Sequence, residues 1–369
     1  MQKNNFISKL FLIILFFSIL IFLSIKLEPY SLNISKNTSP KKTEKKHIIT
    51  EWNPIYFFKL FHGEFKIIIG SKKIKDLQKK PDLNTERKEV YAFIFEVKKF
   101  ATETLELKGK DTYSKLYDTK GAPVAYNLTV VPSLSINPVR WKYPIVGTFP
   151  YRGYFSKKDA IKDENKWKKK GYDTYLRSVA AFSTLGWFSD PIYSSMLKYN
   201  KGIIAEIIIH ERVHNTIFLK NQMEFNESIA NFFGKKGAEL FLKKKFGTGN
   251  NELVIYQNIF HDQTILYDFI DEIHFKLKEL YNSDLSNIEK KKIKKNIIKK
   301  QMQIYQTLPF KNKGYKTYLT EDKINNAFIV SHKTYSTDEQ IFEETYRILN
   351  NDIVEFIKLL KKIPKKDNG

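Results

Sequence analysis

The segment AEIIIHERVHNTIF, residues 205–218, places two histidines and a glutamate inside an apolar pattern with helical spacing. On a helix, positions i and i+4 lie one turn apart on the same face, so His210 and His214 present their imidazoles to one point. The same face continues through Ile207 and Phe218, which indicates that this point is buried. Two adjacent imidazoles in an apolar setting would bury unsatisfied nitrogen atoms. The segment therefore predicts a helix that holds a ligand between the two rings.

A metal ion is the natural ligand for such a pair of imidazoles. The chain contains no cysteine, which excludes disulfides and thiolate zinc sites. Glu211 follows His210 directly, and its carboxylate can reach a water on the metal without being a ligand itself. The His-Glu-x-x-His spacing is the zinc-peptidase arrangement, in which the glutamate is the general base. We therefore predict one Zn²⁺ ion as cofactor and Glu211 as the catalytic base.

A catalytic zinc needs a third protein ligand and an open position for water. Glu227 lies thirteen residues after His214, at the start of a second apolar-patterned helix. Two helices joined by a short loop run antiparallel, so the beginning of the second faces the later part of the first. We predict Glu227 as the third ligand, the alternative being an ordinary first-turn glutamate with Asn226 as helix N-cap. Glu206 is a candidate hydrogen-bond partner for His210.

The N-terminus predicts attachment to a membrane. Lys3 and Lys9 precede an uncharged apolar run from Leu10 to Ile25, a pattern typical of an export signal or a membrane anchor. No cleavage site with small residues follows, so we predict an uncleaved signal anchor over residues 1–26, with a cleaved signal as the alternative. The catalytic domain is then expected in the periplasm or outside the cell, held at the cell membrane by a single-pass N-terminal helix.

The rest of the chain divides by composition into a linker and one domain. Residues 27–50 are polar and predict a linker, and residues 51–369 predict the catalytic domain. Apolar spacing over residues 54–69 and 86–105 favours helices, and helical patterning dominates again from residue 196 onward. Between them, segments rich in β-branched and aromatic residues predict roughly three strands. The predicted fold class is α+β, mainly helical, with a small β-sheet before the histidine-bearing helix.

The formal charge of +23 raises the question of an anionic partner. The lysines are spread along polar helix faces, including the basic helical segment 287–305, and no clustered stripe or nucleic-acid-binding motif accompanies them. We therefore expect no nucleic-acid partner. A membrane-tethered scaffold, with a structural or absent metal and with basic helices that contact anionic lipid or cell-wall polymer, remains the alternative to an enzyme.

Several separated segments resemble the bacterial predicted aminopeptidase family of HExxH zinc metallopeptidases. The resemblance implies a zincin-like fold and a peptide substrate, and it extends from Tyr56 to the C-terminal helices. Many relatives are lipoproteins, whereas this chain has no cysteine to acylate. A second departure, from glutamate-type zinc peptidases in general, is Asn231 in place of an acidic residue four positions after Glu227, which would weaken the orientation of a histidine ligand. The segments that carry the resemblance are WKYPIVG, YRGYF, STLGWFSDPIYSSM, HERVH, FNESIANFFG and NNAFIVSHKTY.

The expected reaction is peptide hydrolysis at the three-ligand zinc site. Glu211 takes a proton from the attacking water and delivers it to the leaving amine. The oxyanion needs a further donor, for which Tyr154, Arg152 and Tyr335 are candidates. Arg152 or Asp190 is a candidate for fixing a substrate terminus. Asp190 precedes a proline, so a structural role in a turn is an equal alternative.

Overall fold

The fold is seen in a computed structural model, and several predicted segments lie outside the residues that it describes. The predicted signal anchor, residues 1–26, and most of the predicted linker are among them. No helix within the described part of the chain is long and apolar enough to cross a bilayer. The structure describes residues 47–51, 53–109, 111–143, 147–179, 190–219, 222–333 and 340–362.

Helices make up most of the described residues. This content, together with the small sheets, confirms the prediction of a mainly helical α+β fold. The first helix begins where Asn53 caps it, since the Asn53 side chain accepts hydrogen bonds from the amides of Ile55 and Tyr56. The α-helices are α1 Pro54–Gly70, α2 Ile74–Gln78, α3 Thr85–Glu103, α4 Lys157–Lys169, α5 Lys201–Thr216, α6 Met223–Phe246, α7 Asn251–Asn282, α8 Asn287–Tyr305, α9 Lys313–Lys316, α10 Asn326–Lys333, α11 Gln340–Ile348 and α12 Ile353–Lys361.

The strands form three separate three-stranded sheets among the described residues, not one small sheet as the sequence predicts. Their order is β1-β5-β6, β2-β3-β9 and β7-β4-β8. Proline and glycine interrupt the strand-forming segments, so most strands are only two to four residues long. The strands are β1 Ile48–Thr50, β2 Lys72–Lys73, β3 Lys115–Tyr117, β4 Ala125–Pro132, β5 Arg140–Tyr143, β6 Gly147–Phe149, β7 Arg152–Tyr154, β8 Tyr172–Val179 and β9 Ile192–Tyr193.

Two of these pairings matter for the organisation of the chain. The longest is antiparallel and joins β4 to β8, from Ala125 opposite Val179 to Pro132 opposite Tyr172. Strand β1 lies parallel to β5, although its three residues fall at the end of the range predicted as linker. The regular structure therefore begins slightly before residue 51.

The largest hydrophobic core lies around the helix pair α5–α6. Ile208 and Ile209 of α5 and Phe232 and Phe233 of α6 are fully buried in it. The two helices approach closely where α6 carries a glycine, because a Cβ atom at Gly234 would lie 3.2 Å from the His210 Cβ atom and 3.2 Å from a backbone oxygen of α5. This packing holds α5 and α6 side by side.

A second core lies between α7, α8 and α10, and a third lies under β4, β5 and β7. Helix α8 begins and ends at the residues that the basic segment 287–305 predicts. A capping box fixes its start, in which the side chains of Ser286 and Glu289 each accept a hydrogen bond from the other's backbone amide.

Candidate metal centre

Helix α5 carries the two histidines of the predicted site on one face. It begins after Asn200, whose side chain accepts a hydrogen bond from the amide of Gly202. It ends at Thr216, so Phe218 lies beyond the helix and is half exposed, and the prediction that Phe218 extends the buried face is wrong. The side chains of His210 and His214 are 18% and 20% exposed, and their Nε2 atoms lie 3.1 Å apart. The pair thus opens toward solvent on one side, as a site that admits substrate requires.

The loop after α5 brings the start of α6 to the histidines. Asn226 does not cap α6, which begins earlier, at Met223. Instead, its buried side chain accepts a hydrogen bond from the amide of Leu219 and donates one to the carbonyl of Leu219, each 2.8 Å long. This clamp ties the loop to the first turns of α6. Glu227 follows directly and faces the two imidazoles.

The three predicted ligands form one compact group. Glu227 carboxylate oxygens lie 3.4 Å from His214 Nε2 and 3.7 Å from His210 Nε2. Four ligands at the usual zinc distances of about 2.0–2.1 Å would stand about 3.3–3.4 Å apart at the corners of a tetrahedron. Within the described part of the chain, this is the one group of three histidine or carboxylate side chains close enough to share an ion. The spacing and the nitrogen and oxygen donors fit zinc.

Burial and mutual contact shift the pKa values of the three predicted ligands. Burial, aided by the neighbouring His214, lowers the pKa of His210 to about 4. Burial also acts to lower the pKa of His214, but the hydrogen bond and the charge of Glu227 outweigh it and raise that pKa above its ordinary value. Burial acts to raise the pKa of Glu227, but the two histidines outweigh it and lower that pKa. Near neutral pH, His210 therefore presents a free lone pair and Glu227 presents a carboxylate.

Asn231, one turn after Glu227 on α6, contacts the back of the site. Its side chain hydrogen-bonds the ring of His210. This contact acts to raise the imidazole pKa, against the larger lowering by burial, as expected when an amide oxygen accepts from a ring N–H. The sequence raised doubt about this position because the side chain is not acidic. The structure shows that the amide still contacts the histidine. Glu206, the other partner considered for His210, accepts a hydrogen bond from the Tyr256 hydroxyl at 2.9 Å.

Glu211 lies beside the ligand group on the same helix. Its charge acts to raise the pKa of His214. It also faces Tyr113, whose hydroxyl pKa is raised well above its ordinary value by burial and then by the charge of Glu211. The carboxylate is thus adjacent to a predicted ligand without belonging to the group of three, as a general base requires.

Two of the residues predicted to bind the oxyanion or the substrate have polar partners away from the metal centre. Arg152 lies on β7, and its guanidinium forms ion pairs of 2.7 Å with Glu51 and 3.0 Å with Asp163. The same guanidinium lies over the ring of Tyr56. The Tyr154 hydroxyl donates a 2.6 Å hydrogen bond to Asp163. These contacts join β7 to α1 and α4 and favour a structural role for both residues.

Tyr335 and Asp190 are the other two residues predicted to bind the oxyanion or the substrate. Tyr335 lies outside the described residues. Asp190 is buried, and its backbone carbonyl accepts a hydrogen bond from the amide of Tyr113. Its charge acts on Glu64 and Tyr193, as well as on Tyr113. Asp190 therefore shares a neighbour, Tyr113, with the predicted base.

Sequence reasoning missed Glu64, the only acidic residue of α1. The available signal was a lone glutamate within the apolar run HGEFKIIIG. Burial, followed by the charge of Asp190, raises the pKa of Glu64 to about 7. The sequence alone could not place this residue near the site, because α1 lies far from α5 along the chain.

One comparison with known proteins identifies the same family as the resemblance found in the sequence. Residues 55–368 match the family described as putative aminopeptidase. No curated protein and no solved structure gives a significant match. The matched range includes every residue of the candidate metal centre.

Proposed function

Because this chain belongs to the putative aminopeptidase family, we propose that it is a zinc-dependent peptidase whose single Zn²⁺ ion is held by His210, His214 and Glu227. Family membership supports peptide hydrolysis in general. The assignment of zinc is carried by one observation, the convergence of these three side chains beside Glu211. Two histidines and one carboxylate are a ligand set of catalytic zinc sites, which keep a fourth position open.

When bound, the ion would supply Lewis acidity and a water of lowered pKa. The residues of the protein have the other roles. Glu211 accepts the proton of the attacking water and delivers it to the leaving amine. Asn231 holds the ring of His210 in the orientation that directs Nε2 toward the other ligands. The clamp made by Asn226 fixes the loop between the helices, so Glu227 stays within reach of both imidazoles. Together, these residues hold a preformed site and move one proton through it.

Elemental analysis of the purified chain tests the metal. We expect close to one zinc per chain in the wild type and a sharp loss in Glu227→Ala. Glu239→Ala is a matched control on the same helix, because the Glu239 carboxylate accepts a hydrogen bond from Gln257 instead of facing the histidines. Wild-type protein that is folded and contains no zinc, even after incubation with the ion, would refute the proposal.

Hydrolysis of a peptide library tests the reaction. We expect Glu211→Gln to retain zinc and lose hydrolysis, because the amide has the shape of the carboxylate and cannot accept the proton. The alternative, a non-catalytic tethered scaffold with a structural metal, predicts zinc in both proteins and hydrolysis in neither. The alternative with no metal predicts zinc in neither.

We further propose that residues 10–25 anchor the protein in the cell membrane and place the domain in the periplasm or outside the cell. The support is the basic and then apolar pattern of the N-terminus. Protease added to intact cells, or to cells with a permeabilised outer membrane, should remove the domain if the proposal is right. Full protection until the inner membrane is broken would contradict this orientation.

A further inference from the structure

A group of buried and half-buried polar side chains lies next to the predicted base, and the proposed reaction does not yet use it. The group consists of Glu64, Tyr113, Asp190 and Tyr193, and is called the Glu64 cluster. Three chain segments meet there: α1, the loop after α3, and the segment that enters β9. The pairing of Leu116 in β3 with Ile192 in β9, and the hydrogen bond from the Tyr113 amide to the Asp190 carbonyl, hold two of these segments together.

The Glu64 cluster concentrates negative charge beside the site. Glu64, Asp190 and Glu211 all act on the Tyr193 hydroxyl, whose pKa is raised by burial first and then by these three carboxylates. Asp190 and Glu211 act together on Tyr113 as well. No lysine or arginine among the residues the structure describes forms an ion pair with Glu64. A cation is therefore the ligand that this charge favours.

Two polar groups of the cluster make no hydrogen bond within the described chain, and one of them is fully enclosed. The Glu64 Oε2 atom is shielded from solvent and has no partner within the described chain. Tyr113 is only 2% exposed, and its hydroxyl makes no hydrogen bond to any described residue. The backbone of Tyr113 is also held at a φ of 57°, a conformation that non-glycine residues rarely adopt and that is found often at functional sites. Enclosed polar groups of this kind destabilise the free protein unless a ligand satisfies them.

The position of the Glu64 cluster next to Glu211 indicates which cation it would bind. In a peptide, the α-nitrogen of the first residue lies about 2.5 Å from the carbonyl carbon of that residue, because only Cα separates them. An enzyme that cleaves the first peptide bond must therefore bind the α-ammonium group right beside the residue that acts at the scissile carbonyl. The Glu64 cluster lies beside Glu211, because the Asn215 side chain donates hydrogen bonds to the Glu211 carbonyl, at 2.9 Å, and to the hydroxyl of Thr112, at 3.2 Å, and Thr112 directly precedes Tyr113.

We propose that Glu64 and Asp190 bind the α-ammonium group of the peptide substrate. This inference rests on the proposed function and names the residues that hold the substrate N-terminus. An ammonium group donates three hydrogen bonds, which the two carboxylates and the Tyr113 hydroxyl can accept. A second metal ion fits less well, because the described residues contain no further group of three ligands close enough to share one.

Peptide binding to the zinc-loaded Glu211→Gln protein tests this proposal, because the peptide then survives the measurement. The probes are a tetrapeptide amide with a free N-terminus and the same peptide with an acetylated N-terminus, titrated by calorimetry. We expect the free amine to bind at least tenfold more tightly. Adding Glu64→Gln, and separately Asp190→Asn, should remove this preference. Adding Glu164→Gln should preserve it, since Glu164 is a half-buried acid that contacts Thr174 and Lys168 instead.

Hydrolysis by the wild-type enzyme separates this proposal from the one on which it rests. Release of the N-terminal residue from the free peptide, with the acetylated peptide intact, supports both. Equal binding of the two peptides, or no binding of either, overturns the role of Glu64 and Asp190 whether or not hydrolysis occurs. A binding preference that depends on Glu64, without hydrolysis of either peptide, would support the role of Glu64 in binding the α-ammonium group and would refute the proposed peptidase activity.

Discussion

Replacing Glu64 with glutamine should stabilise the metal-free protein at alkaline pH and not at acidic pH. Burial and the charge of Asp190 raise the pKa of Glu64 from 4.5 to about 7 in the folded chain. Between these values the folded state binds more protons at this position than the unfolded state, so the free energy of unfolding falls as pH rises. The loss is absent well below pH 4.5 and complete above pH 7. Glutamine does not ionise, so the free energy of unfolding of the variant does not fall in this way.

The magnitude follows from the same pKa values. A rise from 4.5 to about 7 corresponds to a limiting penalty of about 3 kcal/mol, at about 1.4 kcal/mol per pKa unit. Part of this penalty is already present at pH 5, so the advantage of Glu64→Gln should grow by about 2–3 kcal/mol between pH 5 and pH 8. The amide alters the free energy of unfolding by a further amount that does not depend on pH. The change with pH therefore isolates the carboxyl group.

Urea unfolding at pH 5, 6, 7 and 8 measures this difference for the wild type, Glu64→Gln and the control Glu164→Gln. We expect the free energy of unfolding of Glu64→Gln to separate from that of the wild type mainly between pH 5 and pH 7. The control should show no comparable separation. A difference between Glu64→Gln and wild type that stays constant over this range would show that Glu64 ionises normally and would refute the reasoning.

Three further predictions concern the metal, the reaction and the packing of α5. Asn231→Ala should weaken zinc binding about 10–100-fold, as expected for loss of a hydrogen bond to a ligand. A competition titration with a chelating dye measures this affinity, and Asn231→Asp should retain it. Glu211→Gln should lower turnover by about 10²–10⁴-fold with zinc content unchanged, and wild-type activity should disappear with a chelator and return with zinc. Gly202→Ala should destabilise the fold by about 1–3 kcal/mol in urea unfolding, because the new methyl group would lie 2.3 Å from the ring of Tyr256. A Cβ atom at Gly314 would meet no atom within 4 Å apart from its own local backbone, so Gly314→Ala should be tolerated.

The sequence predicts which three side chains come together, because these residues are close to one another in the chain. His210, His214 and Glu227 lie on consecutive helices, and helical periodicity together with a short loop is enough to bring them together. The same reasoning gives the bounds of α1, α3 and α8 to within a few residues. The structure places all three predicted ligands in one group, and the identity of the ion remains a proposal.

The errors arise where distant segments meet. The pairings of β1 with β5 and of β3 with β9 join strands far apart in sequence, and side-chain patterns within a short strand do not specify a distant partner. Arg152 looked available in the sequence because its partners, Glu51 and Asp163, become visible only in the fold. Asn226 was considered as a helix cap, but its side chain hydrogen-bonds the backbone of the preceding loop instead. Asparagine favours local side-chain-to-backbone hydrogen bonds in both positions, so the sequence alone does not separate them.

The short sequence separation of the three predicted ligands also has a consequence for how the protein folds. All three lie within one helical hairpin, so bringing them together closes only a short loop and costs little chain entropy. The Glu64 cluster draws on α1, on the loop after α3 and on the segment before α5, so it forms only after long-range contacts, which arise slowly. We therefore expect the proposed metal site to form before the Glu64 cluster during folding. A newly synthesised chain would then hold its ion before it can select a substrate.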